Sequence, residues 1–374
     1  MELDEVAVKT ILVAGARLSS KQLRLLTQQL TFYEVGWAEW WADGASRWQA
    51  TGVAVDQTRA LLSFAHRYTP EEYQEFLLAK GYRTLTADSD QYPLLLKECP
   101  DKPEVLFVKG SLPHADLSVA IVGSRKMTPY GQQVINHFIP SLCFNQAVII
   151  SGFMYGVDAT AHAAALAAGG RTVGVLGYGF EYLSVSCRNP HLASLLEQNM
   201  CLVSEFPPEY LPQPWSFPQR NRIIAGLSQA TVVVEAALKS GSLITAQYAL
   251  EYNRIVMAVP GSITNPSSKG VIQLLNDGAL AVDSADAILS EISPQIKPRS
   301  QSKPDSQSLI DSAKKLELEQ EVILLLRSTS LSTDELMAQL SQPLDKVLPK
   351  LSLLELQGKV SQQWGKWFLT CQSQ

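Results

Sequence analysis

The chain reads as an α/β protein: a mostly parallel sheet at its centre, a small helical unit before it and a winged-helix unit after it. Three observations predict this. Five apolar runs in the middle of the chain, AIVGSR, VIISGFMYG, TVGVLGYGF, VVVEAALKSGS and IVMAVPGS, each carry a small residue at their end beside a candidate anion ligand. Segments of helical character separate these runs, so they are strands of one parallel sheet joined by crossover helices. The flanks differ from this centre, being helical on one side and helices plus a glycine-bounded hairpin on the other.

In chain order, residues 1–80 carry helical signals in SSKQLRLLTQQL, VGWAEWWADGASRWQA and VAVDQTRALLSFAHRY, separated by short polar or glycine breaks. Trp37, Trp40, Trp41 and Trp48 recur at near-helical spacing, which assigns them to packing inside this small unit and not to base stacking. Residues 81–293 form the α/β unit, opening with a connector over 81–111 that ends in a strand. Strands are placed near 118–122, 147–150, 172–176, 201–204, 231–235, 255–259 and 280–282, with helices between them. Residues 294–311 are rich in Pro and Ser without apolar periodicity and read as a flexible linker. Residues 312–374 suggest three short helices and a two-stranded wing around Gly358 and Gly365. The second and third of these helices mix Asp334, Glu335, Asp345 and Glu355 with only Lys346 and Lys350, which fits a protein contact at least as well as a DNA groove.

With 374 residues, 46% hydrophobic content and 18% charged residues, the chain has material for two or three domains with substantial cores. The acidic start MELDEVAVKT and the lack of a membrane-length apolar run predict a soluble, cytoplasmic protein with no membrane partner. Cys99, Cys143, Cys187, Cys201 and Cys371 show no CxxC spacing, so reduced thiols are expected, and neither a zinc nor a disulfide framework. A net charge of −5 argues against bulk electrostatic attraction to nucleic acid, so any polyanion site must be a local patch. Arg125, Lys126, Arg188, Arg220, Arg222, Lys239 and Lys269 lie in or just after segments at the strand ends and supply one.

The ends of parallel strands are where an open α/β sheet binds ligands, and glycine there lets a ligand approach the backbone. Gly177-Tyr178-Gly179 follows a strand but lacks the third glycine of a dinucleotide fingerprint, and no GxxxxGK[ST] loop exists; no cofactor or metal is expected. Gly123-Ser124-Arg125 closes the first strand and offers a backbone turn, a hydroxyl and a guanidinium fork to phosphate oxygens. Ser151-Gly152 ends the second. Asp158 and His162, four apart, have no third ligand nearby and read as helix-start and packing residues. Arg220-Asn221-Arg222, placed just before the apolar helix IIAGLS, either grips phosphates or locks loops through carbonyls. Lys239-Ser240-Gly241-Ser242 starts a helix after the fifth strand, a second Ser/Gly cradle beside a cation. Aromatic residues interleave with these loops, and Tyr178 and Phe180 are expected to be exposed for stacking because their loop is bounded by glycine. Glu205 and Glu235 end strands, yet no His or Cys pairs with an acid, so binding is favoured over catalysis.

The segments IVGSRKMTPYG, SGFMYGVDATAH, VGVLGYGFEYL, SEFPPEYLPQPWSFPQRNRIIAGLS, VVVEAALKSGSLITAQYAL and VPGSITNPSSKG, in this order, closely resemble the DNA-processing protein A family, also called Smf, over about residues 85–285. That resemblance implies an extended Rossmann-like domain that binds single-stranded DNA in a basic pocket, forms homodimers and helps load the RecA recombinase during natural transformation. It carries phosphate binding onto Gly123, Ser124 and Arg125, and a lining or supporting role onto Ser151, Gly152, Arg220, Asn221, Arg222, Ser240, Gly241 and Ser242. It also likens residues 1–80 to small helical domains of the sterile-alpha-motif or helix-hairpin-helix kind. Departures from the family pattern lie at Tyr155, at SVSCRN, at Ile272 and at Asn276, and Arg188 offers charge in the altered loop. The competing reading is a nucleoside-monophosphate phosphoribohydrolase, but EAALKSGSLITA has neither the Gly-Gly run nor the following glutamate of the PGGxGTxxE motif. A third reading gives the main role to the winged helix as an adaptor for duplex DNA or protein.

Overall fold

The computed structural model describes residues 4–114, 116–183 and 200–293, then 331–340, 344–356, 359–363 and 366–369, with a few isolated residues between. The chain divides into two compact units, one through residue 299 and one from residue 300. The predicted linker and the glycines of the wing lie outside the described residues, as does Arg188.

The first unit is built on a nine-stranded sheet of β1 (Tyr82–Thr86), β2 (Val105–Lys109), β3 (Ser118–Val122), β4 (Val148–Ser151), β5 (Thr172–Leu176), β6 (Cys201–Ser204), β7 (Ala230–Val233), β8 (Ile255–Ala258) and β9 (Leu280–Ala281). Their order is β1-β2-β6-β5-β4-β3-β7-β8-β9. Every pairing from β6 to β9 is parallel, while β2 runs antiparallel to β6 and β1 antiparallel to β2. The central strands are buried along their whole length, because helices cover both faces. On one face, Val119, Ile121 and Ile149 pack with the helices Pro129–Phe144, Val157–Ala167 and Ala285–Ile292. On the other, Ala120, Val122 and Ile150 pack with Ser216–Gly226, Ser242–Glu251 and Lys269–Asn276.

Each predicted strand is present within two residues of its predicted bounds. The segment read as a connector does more than connect: Tyr82–Thr86 and Val105–Lys109 form a hairpin that adds two strands beyond β6, satisfying hydrogen-bonding groups that an edge would leave open. The chain runs outward from β3 through β4 and β5 to β6, then returns to the other side of β3 as β7. That reversal creates a crevice beyond the ends of β3 and β7, the place where open sheets take ligands.

Six helices between Glu5 and Ala79 make the amino-terminal part of this unit. Trp40 and Trp48 are buried there, and their indole N–H groups donate to Thr51 Oγ1 and to the Trp40 carbonyl at 2.9 and 3.2 Å, so they are packing residues. These helices share an apolar cluster with the sheet unit through Phe107, Phe153, Tyr178 and Phe180. Polar ties join them as well: buried Lys9 contacts Asp88 at 2.5 Å, and Arg24 contacts Glu104 at 2.9 Å.

In the second unit, the helices Thr333–Leu340 and Leu344–Leu356 precede β11 (Val360–Gln363) and β12 (Lys366–Leu369). The wing has three strands and not two, since β10 (Leu331–Ser332) pairs with β12. Leu336, Val347, Leu351 and Trp367 form its core, and the Trp367 indole donates to Thr333 Oγ1 at 3.0 Å. No described helix is long and apolar enough to cross a membrane.

Candidate nucleic-acid interface

A pocket of about 370 Å³ opens in the crevice between β3 and β7. Gly123, Ser124 and Arg125 enter it from the end of β3, and Lys239, Ser240, Gly241 and Ser242 from beyond β7. Arg220 and Asn221 form part of its wall from the helix Ser216–Gly226. Nine of the predicted residues therefore converge. Phe217, Pro218, Met154, Asp158, Ile224, Ala237 and Thr245 also line it.

Close approaches dictate the small residues. A Cβ at Gly123 would lie 2.7 Å from Val157 Cγ2, and at Gly156, whose φ is +78°, 2.3 Å from the Ser124 carbonyl oxygen. The Val157 N–H donates to that same carbonyl at 3.2 Å, so the turn after β3 is held against the helix that follows β4. Beyond β7, the hydroxyls of Ser240 and Ser242 lie 2.8 Å apart, at a helix start that has no side-chain cap. Arg125, Lys126 and Lys239 are exposed, and their side chains make no ion pair or hydrogen bond among the described residues. Lys269, at the start of the helix after β8, is likewise exposed and makes no ion pair among the described residues.

Arg220 differs from these cations in being buried. Its Nη1 donates to the carbonyls of Gly152 and Val175, and its Nε donates to Asn221 Oδ1 at 3.2 Å. It thus ties the ends of β4 and β5 to the covering helix. Asn221 Nδ2 donates to the Gly241 carbonyl at 3.0 Å, which fixes the loop beyond β7 to the same helix. Of the two readings of the Arg-Asn-Arg corner, loop locking describes what these side chains do.

Burial lowers the Arg220 pKa to about 10, so it stays charged at neutral pH. Burial likewise pushes the Asp158 carboxyl up to about 6, against the opposing pull of Arg220 and of a hydrogen bond from the Met154 backbone. His162 donates to or accepts from Thr172 Oγ1 at 2.6 Å, and burial takes its pKa down to about 3. Asp158 is therefore a pocket acid that titrates near pH 6, while His162 is a neutral packing residue.

Four placements correct the sequence reading. Tyr178 and Phe180 are 3% and 2% exposed, because the turn after β5 packs against the amino-terminal helices; Phe180 sits 5.0 Å from the Tyr82 ring. Arg222 points away from the pocket, contacting Glu205 at 2.5 Å and Asp101 at 3.7 Å. The arginines lie inside the helix, not before it, and positions two apart on a helix are about 200° apart around its axis. Ser151 and Gly152 do not line the pocket but stand behind it: the Ser151 hydroxyl donates to the Ile121 carbonyl at 2.6 Å. A Cβ at Gly152 would lie 2.7 Å from both Arg220 Nη2 and Asp158 Oδ2, so only glycine leaves room for these two side chains.

The geometry agrees with the comparisons with known proteins. Residues 83–293 match the family model of DNA recombination-mediator protein A, and residues 303–366 that of the DprA winged helix domain. The DNA processing protein DprA of Bacillus subtilis is 46% identical over 215 residues, covering 57% of this chain and 72% of that one. Protein Smf of Escherichia coli is 42% identical over 246 residues, 65% of each. Among solved structures, DNA processing protein A of Streptococcus pneumoniae superposes with a TM-score of 0.63 at 29% identity, covering 78% of this chain and 99% of that one. The Helicobacter pylori protein, whose single-stranded DNA binding mode has been described, superposes with a TM-score of 0.50 at 28% identity over 56% of this chain and 95% of its own. The chain belongs to the DNA recombination-mediator protein A family.

Proposed function

We propose that the pocket between β3 and β7 binds the backbone of single-stranded DNA, and that this binding is how the chain serves as a recombination mediator. One observation carries the reading: Arg125 and Lys239, which make no ion pair among the described residues, line a pocket built from strand ends, and Lys126 follows Arg125 in the same turn. Phosphates meet the rim cations and the hydroxyls of Ser124, Ser240 and Ser242, while Arg220 holds the floor in place. A duplex is stiff over many base pairs, whereas a flexible single strand can bend its backbone into a crevice. Arg188 is proposed to add charge from the loop after β5.

We read the role as one of binding, which the match to the recombination-mediator family model supports. We further propose, with the family match as support, that the chain loads the RecA recombinase, forms homodimers and works in the cytoplasm during natural transformation. The division into a helical domain over residues 1–80, the sheet domain over 81–293 and the winged helix over 312–374 is part of the same proposal.

The test is an electrophoretic shift with single-stranded and duplex oligonucleotides of equal length, on the full chain and on a chain ending at residue 310. Both proteins are expected to retard the single strand in preference to the duplex. Loss of single-strand binding on truncation would move the site to the winged helix.

A second expectation concerns pH. Protonation of Asp158 removes a negative charge from the pocket, so affinity for DNA should rise as pH falls through about 6. The variant Asp158→Asn should bind as the low-pH protein does, with a gain of up to about tenfold at pH 7.5, the effect of one pKa unit. An unchanged pH profile in the variant would assign the titration to another group.

A further inference from the structure

The segment Phe206–Trp215, FPPEYLPQPW, links the end of β6 to the helix that carries Phe217, Pro218 and Arg220 into the pocket. Four prolines restrict its backbone, which lowers the entropy lost when it presents a surface. Backbone bonds fasten it further: the Gly179 N–H donates to the Tyr210 carbonyl at 2.9 Å and the Glu181 N–H to the Pro208 carbonyl at 3.0 Å. On this fixed loop, Phe206 and Tyr210 stack with centroids 4.5 Å apart, and Trp215 meets both edge-on at 6.0 and 6.3 Å. Trp215 is 53% exposed, although its size and apolar surface favour burial.

The same stack continues into the amino-terminal helices. The Arg17 guanidinium lies 5.8 Å from the Tyr210 ring centroid, so Arg17, Tyr210 and Phe206 form one column. Arg17 is exposed and adopts φ +52°, a left-handed conformation that disfavours a side chain, just past Ala16, which caps the helix Glu5–Gly15. It borders a cleft of about 800 Å³ that Pro207 and Tyr210 line from the sheet side. The carboxylates on that wall are engaged, Glu209 by the Tyr73 hydroxyl at 3.2 Å and Glu181 by Lys80 at 3.1 Å.

We propose that Trp215 and Arg17 form a base-stacking platform that takes the unpaired bases of nucleotides next to those held in the pocket, leading the strand towards the amino-terminal helices. The argument rests on the proposed reading of the pocket. An exposed indole and a guanidinium plane are the two side-chain surfaces on which unpaired bases stack, and stacking tolerates any sequence. The Phe206–Tyr210 pair is not itself the platform, since Phe206 is buried and Tyr210 is half-buried with Arg17 against its ring; the pair braces the two groups that are.

The experiment measures affinity for oligo-dT of increasing length, from about six to about twenty nucleotides, by fluorescence anisotropy at fixed salt. The proteins are the full chain and the variants Trp215→Ala, Arg17→Ala and Arg125→Ala. The platform predicts that wild type gains affinity with length, and that Trp215→Ala and Arg17→Ala each lose roughly tenfold on long oligonucleotides but bind short ones as wild type does. Replacing Trp215 with Phe should restore most of the loss, because a ring face remains. Two independent variants, one a surface arginine, keep the test readable if either substitution harms folding. A photocrosslink from 5-iododeoxyuridine to residues 206–215 in the unmodified protein gives the same answer without a variant. Equal length dependence in wild type and both variants, with crosslinks elsewhere, overturns the platform. Short oligonucleotides that bind independently of Arg125 overturn instead the pocket reading on which it rests.

Discussion

Replacing Arg220 with alanine is expected to destabilise the first unit by about 3–5 kcal/mol, the range for removing one partner from a buried charged network. The residue is buried, and its guanidinium serves the carbonyls of Gly152 and Val175 together with Asn221 Oδ1. Alanine leaves these acceptors without a donor in a place water reaches poorly. It also leaves the Asp158 carboxylate without its positive neighbour, in surroundings that already raise its pKa to about 6. The thermal unfolding midpoint should fall by roughly 10 °C or more. Lysine at this position should recover only part of the loss, because a single ammonium at the Nη1 position leaves Asn221 Oδ1 without its Nε donor. A midpoint within 2 °C of wild type, about the size of a 1 kcal/mol effect or less, would show that the carbonyl contacts contribute little.

The second large effect is on affinity alone. The double variant Arg125→Ala/Lys239→Ala removes two exposed cations that have no ion pair among the described residues, so its unfolding midpoint should match that of wild type. Its affinity for single-stranded DNA should drop by roughly tenfold per lost charged contact. The dependence of log affinity on log salt should flatten by about 1.4, since each phosphate neutralised on a single strand contributes about 0.7. A loss of affinity with an unaltered slope would mean that these side chains act through packing and not through phosphate.

The contrast between Arg220 and Arg125 also shows what the residue pattern made legible. Strand positions were readable because strands buried on both faces are short continuous apolar runs, and those of this sheet are separated by helices. The ligand edge was readable because the Gly-Ser-Arg turn and the Lys-Ser-Gly-Ser segment are small, polar and cationic where the apolar runs stop. Local pattern does not reveal which way a side chain faces when that depends on a distant element. Tyr178 and Phe180 sit in a glycine-bounded turn, yet the amino-terminal helices fold back over them. Nothing within the turn encodes that cover.

The Arg-Asn-Arg corner was readable in principle. Starting its helix at Ser216, whose hydroxyl accepts from the Gln213 N–H at 3.3 Å and lies within hydrogen-bond reach of the Gly177 and Gln213 carbonyls, separates Arg220 from Arg222 by about 200°. Only one of the two can then face the pocket. Asp158 and Thr245 were harder to place, since each becomes a lining residue only when the loops after β3 and β7 close over it. The hairpin of β1 and β2 was half-visible: its second strand is apolar, but the first, YRTLT, alternates weakly and gains its role from pairing with Val105–Lys109.

Amide hydrogen exchange with and without a saturating oligo-dT tests the account most directly, because it locates the strand on the unmodified protein. Slowed exchange is predicted at Gly123–Lys126 and Lys239–Ile244, the two turns that face each other across the end of β3 and β7, with little change in residues 331–369. Protection confined to residues 331–369, with the two turns exchanging at their unliganded rates, would contradict it.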